Sequence, residues 1–194
     1  RIYIENIINE NYKNYDKINI LDIGCGIGEL SKILCNLKLN IFVDAVDFSE
    51  MIKIATSKNY DDRIKYIESS AEEYINSTKK YDIIISSGCF SSIKNISKLK
   101  KAILNCVNML EFNGNIIMID PFHKWNFLAR AKISVKEIIE YMKSLNCKLV
   151  FNDAMLFWPY RVYYSESIIN EKEIEQKFYQ GENILKILGK NIWF

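Results

Sequence analysis

The chain has 194 residues, a single-domain length, and 49% of them are apolar, enough to build a core. Its formal charge is +2 with no run of five like charges, so a nucleic-acid partner is not expected. Five cysteines (Cys25, Cys35, Cys89, Cys106, Cys147) without a C-x-x-C pair argue against a disulfide frame or a zinc site, and nothing approaches the roughly 18 apolar residues of a membrane span. With no signal-peptide pattern either, a cytoplasmic protein is expected. The chain opens on Arg1 and not on Met, so an amino-terminal segment is expected upstream.

Arg1 to Tyr12 carries Ile4, Ile7 and Ile8 on one helical face, and a polar connection leads to an apolar run, Ile18 to Ile23. That run ends in three alternate glycines, Gly24, Gly26 and Gly28, and is followed by Glu29 to Leu37 with Leu30, Ile33, Leu34 and Leu37 at helical spacing. The pattern is strand, tight glycine turn and helix, a turn that lets a ligand approach bare backbone at the carboxyl edge of a parallel sheet. A dinucleotide fingerprint would place its third glycine at position 29, where this chain has Glu, an anion that would repel a pyrophosphate. Asp22, late in an otherwise apolar strand, needs partners from the turn's backbone N–H groups or from a cationic ligand. The pattern Asp-x-Gly-x-Gly-x-Gly fits a cofactor with an amine and little or no phosphate.

Leu21-Asp22-Ile23-Gly24-Cys25-Gly26-Ile27-Gly28 resembles the first motif of class I S-adenosylmethionine-dependent methyltransferases, and the resemblance runs from about Ile18 to Asp120. It implies an α/β fold: a doubly wound Rossmann-like sheet, mostly parallel, with an antiparallel last strand. S-adenosyl-L-methionine is the implied cofactor, with Asp22, Gly24, Cys25, Gly26 and Gly28 around its methionine portion.

Ile41 to Val46 reads as the second strand and ends at Asp47-Phe48-Ser49. Asp47 follows the glycine turn by about 20 residues, the spacing at which a strand-tip acid accepts both ribose hydroxyls. Phe48 is grouped with it in the cofactor site, and Ser49 is expected to cap a helix over Glu50 to Ser57. A short third strand, Ile64 to Ile67, precedes Ser70-Ala71-Glu72-Glu73, where Ser70 and Glu73 match a capping box. By the resemblance this turn runs beside the adenine, which makes Ser70, Ala71 and Glu72 cofactor candidates, with Glu72 as acceptor for the exocyclic amine.

Tyr81 to Ser86 is a fourth strand, and its tip, Ser86 and Ser87, completes the cofactor set. Base-directed methyltransferases carry an Asn or Asp followed by Pro-Pro and an aromatic here, and many small-molecule relatives carry a His near position 92; this chain has neither. Asn95 to Leu110 is a helix, Asn113-Gly114 a turn, and Ile116 to Ile119 a fifth strand ending in Asp120. His123 is the only histidine and stands just past that strand, so His123 and Asp120 are the candidates for a catalytic base. Because methyl transfer is an in-line displacement, such a base is optional.

Ser134 and Glu137 form a second capping box for a helix Val135 to Leu145, and Lys148 to Leu156 reads as a sixth strand. The antiparallel seventh falls at Tyr160 to Tyr164 or, after a helical insertion Glu171 to Leu188, at Asn191 to Phe194. The whole is expected to be one methyltransferase domain with a substrate-side insertion around 157 to 189. The aromatic run Phe157 to Tyr164 suits an apolar acceptor pocket or peripheral contact with a membrane. The expected reaction is methyl transfer to an O, N or C atom of a small apolar or aromatic metabolite. A non-catalytic binding subunit and a nucleic-acid methyltransferase are the rivals.

Overall fold

The computed structural model describes residues 2 to 122, 124 and 130 to 152. The chain divides into two compact units, 1 to 147 and 148 to 194. In the first, strands and helices follow in the order α1 (Ile2–Tyr12), β1 (Ile18–Ile23), α2 (Glu29–Cys35), β2 (Ile41–Asp47), α3 (Met51–Lys58), β3 (Ile64–Glu68), β4 (Tyr81–Ser87), α4 (Ile96–Met109), β5 (Leu110–Ile119) and α5 (Val135–Ser144), with β3 leading to β4 without a helix between them. All four strand pairings are parallel, in the order β3-β2-β1-β4-β5. The order reverses between β1 and β4, so the carboxyl ends of β1, β2 and β4 open a crevice at one edge.

The central strands are near-continuous apolar runs because helices cover both faces of the sheet. On one face, Ile18 and Ile20 of β1, Val43 and Ala45 of β2 and Ile83 and Ile85 of β4 pack with Ile4 and Ile8 of α1 and Leu34 of α2. On the other, Leu21, Ile23, Val46 and Ile84 pack with Leu99, Ala102 and Ile103 of α4 and Ile138 of α5. The alternation follows from the two-residue period of a strand. None of the described helices is long and apolar enough to cross a membrane.

Four local readings change. Ser49 sits one residue upstream of a cap: its hydroxyl accepts the Met51 N–H at 3.3 Å while Glu50 already has helical angles. Ser70 to Glu73 make a single turn, closed by the N–H groups of Glu73 and Tyr74 on the Ser70 carbonyl, that does not continue as a helix, and the Ser70 hydroxyl makes no cap bond. Asn113, with φ 62°, does not end a loop but bulges β5, and its register against β4 slips between Tyr81 and Ile83. Residues 148 to 152 form no strand. The rest of the sixth strand, both placements of the antiparallel seventh and the insertion lie outside the described residues. The second capping box is present, with Ser134 Oγ accepting the Glu137 N–H and the Glu137 carboxylate accepting the Ser134 N–H at 2.9 Å.

Candidate cofactor site

At the crevice, the three glycines all have positive φ: 76° at Gly24, 55° at Gly26 and 79° at Gly28. L-residues avoid this region, and two of the positions are also closely packed. A Cβ on Gly24 would lie 2.7 Å from Cys89 Sγ, and one on Gly28 would lie 2.5 Å from the Tyr66 hydroxyl. Gly26 differs: nothing lies within 4 Å of where its Cβ would stand. Its bare backbone faces open space, as a ligand-approach position requires.

One carboxylate holds the turn, and a second, just before it in β1, is tied to α2. Asp47, at the tip of β2, accepts the Gly26 N–H through Oδ2 at 2.9 Å, and through Oδ1 it accepts the Ser49 N–H at 2.9 Å and the Ser49 hydroxyl at 2.6 Å. A carboxylate has about four lone-pair sites, so Asp47 retains acceptor capacity toward the cleft. Asp22 is buried beneath the turn and accepts the Ser31 hydroxyl of α2 at 2.6 Å. Burial, with the nearby Asp47 charge adding to it, raises its pKa from 3.8 to about 6 against the opposing Ser31 hydrogen bond.

The cleft encloses about 130 Å³, and five of the expected residues line it: Gly24, Asp47, Phe48, Ala71 and Ser87. Phe48 is 75% exposed at the rim, an unusual position for a large aromatic side chain. Val46, Ser69, Gly88, Cys89 and Ser92 also line the cleft, and the sequence reading did not single them out. Ser69 and Gly88 directly follow the ends of β3 and β4, so the carboxyl-edge rule was the signal that could have found them. Cys89 owes its place to packing against Gly24, and no local pattern announces that.

Other expected residues stand behind the cleft wall. Glu72 is paired with Lys98 Nζ at 2.8 Å, which lowers its pKa. The Ser70 hydroxyl lies near Glu72 but is buried with no hydrogen-bond partner. Ser86 is fully buried, its hydroxyl donating to Asp120 at 2.6 Å and accepting the Phe90 N–H at 3.2 Å. Cys25 is partly buried in the glycine turn, and burial pushes its thiol pKa up, as it does that of Cys89. Such thiols are poor nucleophiles. Asp120 accepts the Ser91 N–H at 2.9 Å through its second oxygen, and burial raises its pKa. His123 lies outside the described residues.

Residues 20 to 114 match the family described as a methyltransferase domain. The chain is 28% identical to a ubiquinone biosynthesis O-methyltransferase of Rickettsia canadensis, over 98% of this chain and 76% of that protein. It is also 28% identical to malonyl-[acyl-carrier protein] O-methyltransferase 2 of Ilyobacter polytropus, over 88% of this chain and 63% of that one. In fold it is similar to the YcgJ protein of Bacillus subtilis, with a TM-score of 0.60, 14% identity and coverage of 75% of this chain and 68% of that one. Together the domain match, the methyltransferase relatives and the fold support a class I S-adenosylmethionine-dependent methyltransferase.

The residues of this methyltransferase fit its cofactor. Gly26 offers backbone that a ligand can approach, and Asp47 keeps acceptor capacity beside it. Asp22 and Asp47 give the glycine turn a negative field that suits the ammonium and sulfonium groups of S-adenosylmethionine.

Proposed function

We propose that this methyltransferase transfers the methyl group to an oxygen of a small, apolar or aromatic acceptor, of which a hydroxyl on a quinone-type ring is the leading example. The observation that carries the reading is the shared chemistry of the two relatives, whose names both specify O-methylation. The Rickettsia protein favours the ring hydroxyl because its likeness extends over 98% of this chain.

When bound, S-adenosylmethionine supplies an electrophilic methyl on a sulfonium whose departure leaves a neutral thioether. The chain's own residues then bind and orient. Gly24, Gly26 and Gly28 with Cys25 would admit the methionine portion, and Asp22, tied to Ser31 of α2, would add negative charge beside it. Asp47 would accept the ribose hydroxyls, and Phe48 would cover the nucleoside from the rim. Ala71 would border the adenine, with Ser70 and Glu72 behind it, and Ser87 would bring the tip of β4 to the reacting end, with Ser86 buried behind it. His123 stands in the sequence just past β5, where it could take the proton of an attacking hydroxyl. Holding the oxygen in line with the methyl and excluding water would supply most of the acceleration.

The test is a turnover assay with purified protein, S-adenosylmethionine and two acceptors: a dihydroxyaryl compound with an apolar tail and a carrier-bound malonyl thioester. Methylation of the aryl hydroxyl supports the reading. Methylation of the malonyl carboxylate alone would overturn the ring-hydroxyl assignment and leave oxygen as the acceptor atom.

A further inference from the structure

We infer that Asp120 is a positioning residue that clamps one wall of the cofactor cleft, and not the general base that its place at a strand tip suggests. The inference rests on the cofactor site described above and adds a residue to its machinery. Asp120 follows β5, and each of its carboxylate oxygens accepts a bond from the end of β4 or the segment just after it. Oδ2 accepts the Ser86 hydroxyl at 2.6 Å, and Oδ1 accepts the Ser91 N–H at 2.9 Å. Ser86 completes a loop of bonds by accepting the Phe90 N–H at 3.2 Å.

Two backbone bonds fasten the same segment: the Gly88 N–H reaches the Ile119 carbonyl at 3.0 Å, and the Ala131 N–H reaches the Ser91 carbonyl at 2.9 Å. Ser87, Gly88 and Cys89 lie within this anchored stretch and Ser92 directly follows it, and all four line the cleft. Cys89 in turn occupies the space a side chain on Gly24 would need. The clamp therefore sets the distance between the β4 wall and the glycine turn, and hence the width of the crevice at its reacting end. A base must present a lone pair toward the substrate, whereas Asp120 is not among the residues that line the cleft and turns its carboxylate into this network of charge-assisted bonds.

The experiment compares Asp120→Ala, Asp120→Asn and Ser86→Ala with Asp44→Asn. Asp44 is another buried carboxylate with two side-chain partners, Lys79 and Tyr81, outside the cleft wall. Calorimetric Kd for S-adenosylmethionine and the iodoacetamide alkylation rate of Cys89, mapped by peptide mass, are read for each. Asp120→Ala is expected to weaken binding at least tenfold and to speed Cys89 alkylation severalfold. Ser86→Ala should do the same to a smaller degree. Asp120→Asn should recover part of both, because its amide oxygen can still accept the Ser91 N–H and its NH₂ can donate to Ser86 Oγ. Asp44→Asn is expected to lower Tm while moving neither readout.

An Asp120→Ala variant with wild-type Kd and wild-type alkylation would overturn the clamp, and so would an Asp44→Asn variant that moves both readouts equally. Loss of kcat at unchanged Kd would restore the general base. Should the wild-type protein fail to bind S-adenosylmethionine, the cofactor reading falls, while the alkylation rates still decide the clamp.

Discussion

Replacing Asp22 with Asn removes a buried charge that the fold tolerates at a cost. The Asp22 pKa is raised from 3.8 to about 6, so the folded chain binds this proton more tightly than the unfolded chain does. Its contribution to stability is therefore fully present below about pH 3.8 and is lost as pH rises through about 6. The shift of about two pH units corresponds to about 3 kcal/mol between the two limits. Asn keeps an oxygen that accepts the Ser31 hydroxyl and never ionises, so it should lack this pH-dependent loss. Urea unfolding of both proteins from pH 4 to pH 8 measures it. The stability of Asp22→Asn relative to wild type should climb by up to about 3 kcal/mol between pH 4 and pH 7.5 and then level off. A pH-independent difference, or one that grows toward acid, would refute the reasoning. The same substitution should weaken S-adenosylmethionine binding, because part of the negative field beneath the glycine turn is lost.

Gly24→Ala should cost at least about 2 kcal/mol in thermal unfolding, since it combines left-handed backbone with collision against Cys89. Gly26→Ala should cost only about 1 kcal/mol of stability yet reduce cofactor affinity in a calorimetric titration, because its Cβ would project into open approach space. Equal stability losses at the two glycines would contradict this division. Asp47→Ala leaves the Gly26 and Ser49 N–H groups without their acceptor and should weaken S-adenosylmethionine binding by about 1.5 to 3 kcal/mol, read as Kd. Ser134→Ala removes the capping box of α5 and should lower stability by about 1 kcal/mol with no change in Kd.

The strands were legible because a sheet covered on both faces demands long apolar runs, and β1, β2 and β4 supply them. The glycine turn and Asp47 were legible because backbone geometry and strand-end spacing leave local marks. What the sequence hid was long-range pairing. Asp44 lies inside β2 with no local mark of its pairing, and its partners Lys79 and Tyr81 lie 35 and 37 residues away. Asp120 looked like a free acid at a strand tip because Ser86, which engages it, lies 34 residues upstream. The Ser70-x-x-Glu73 pattern promised a helix, but tertiary bonds fix this segment as a turn: Lys98 pairs with the Glu72 carboxylate and Asn105 Nδ2 donates to the Glu72 carbonyl. A capping pattern is a local signal, and α4 overrides it.

The central claim is that the crevice beside Gly24, Gly26 and Asp47 holds S-adenosylmethionine. Calorimetric titration of the purified protein with S-adenosylmethionine, with NADH as the control, tests it most directly. The account predicts one site with Kd in the micromolar range, about −8 kcal/mol, and no heat with NADH. Absence of S-adenosylmethionine binding, or equal binding of NADH, would contradict it.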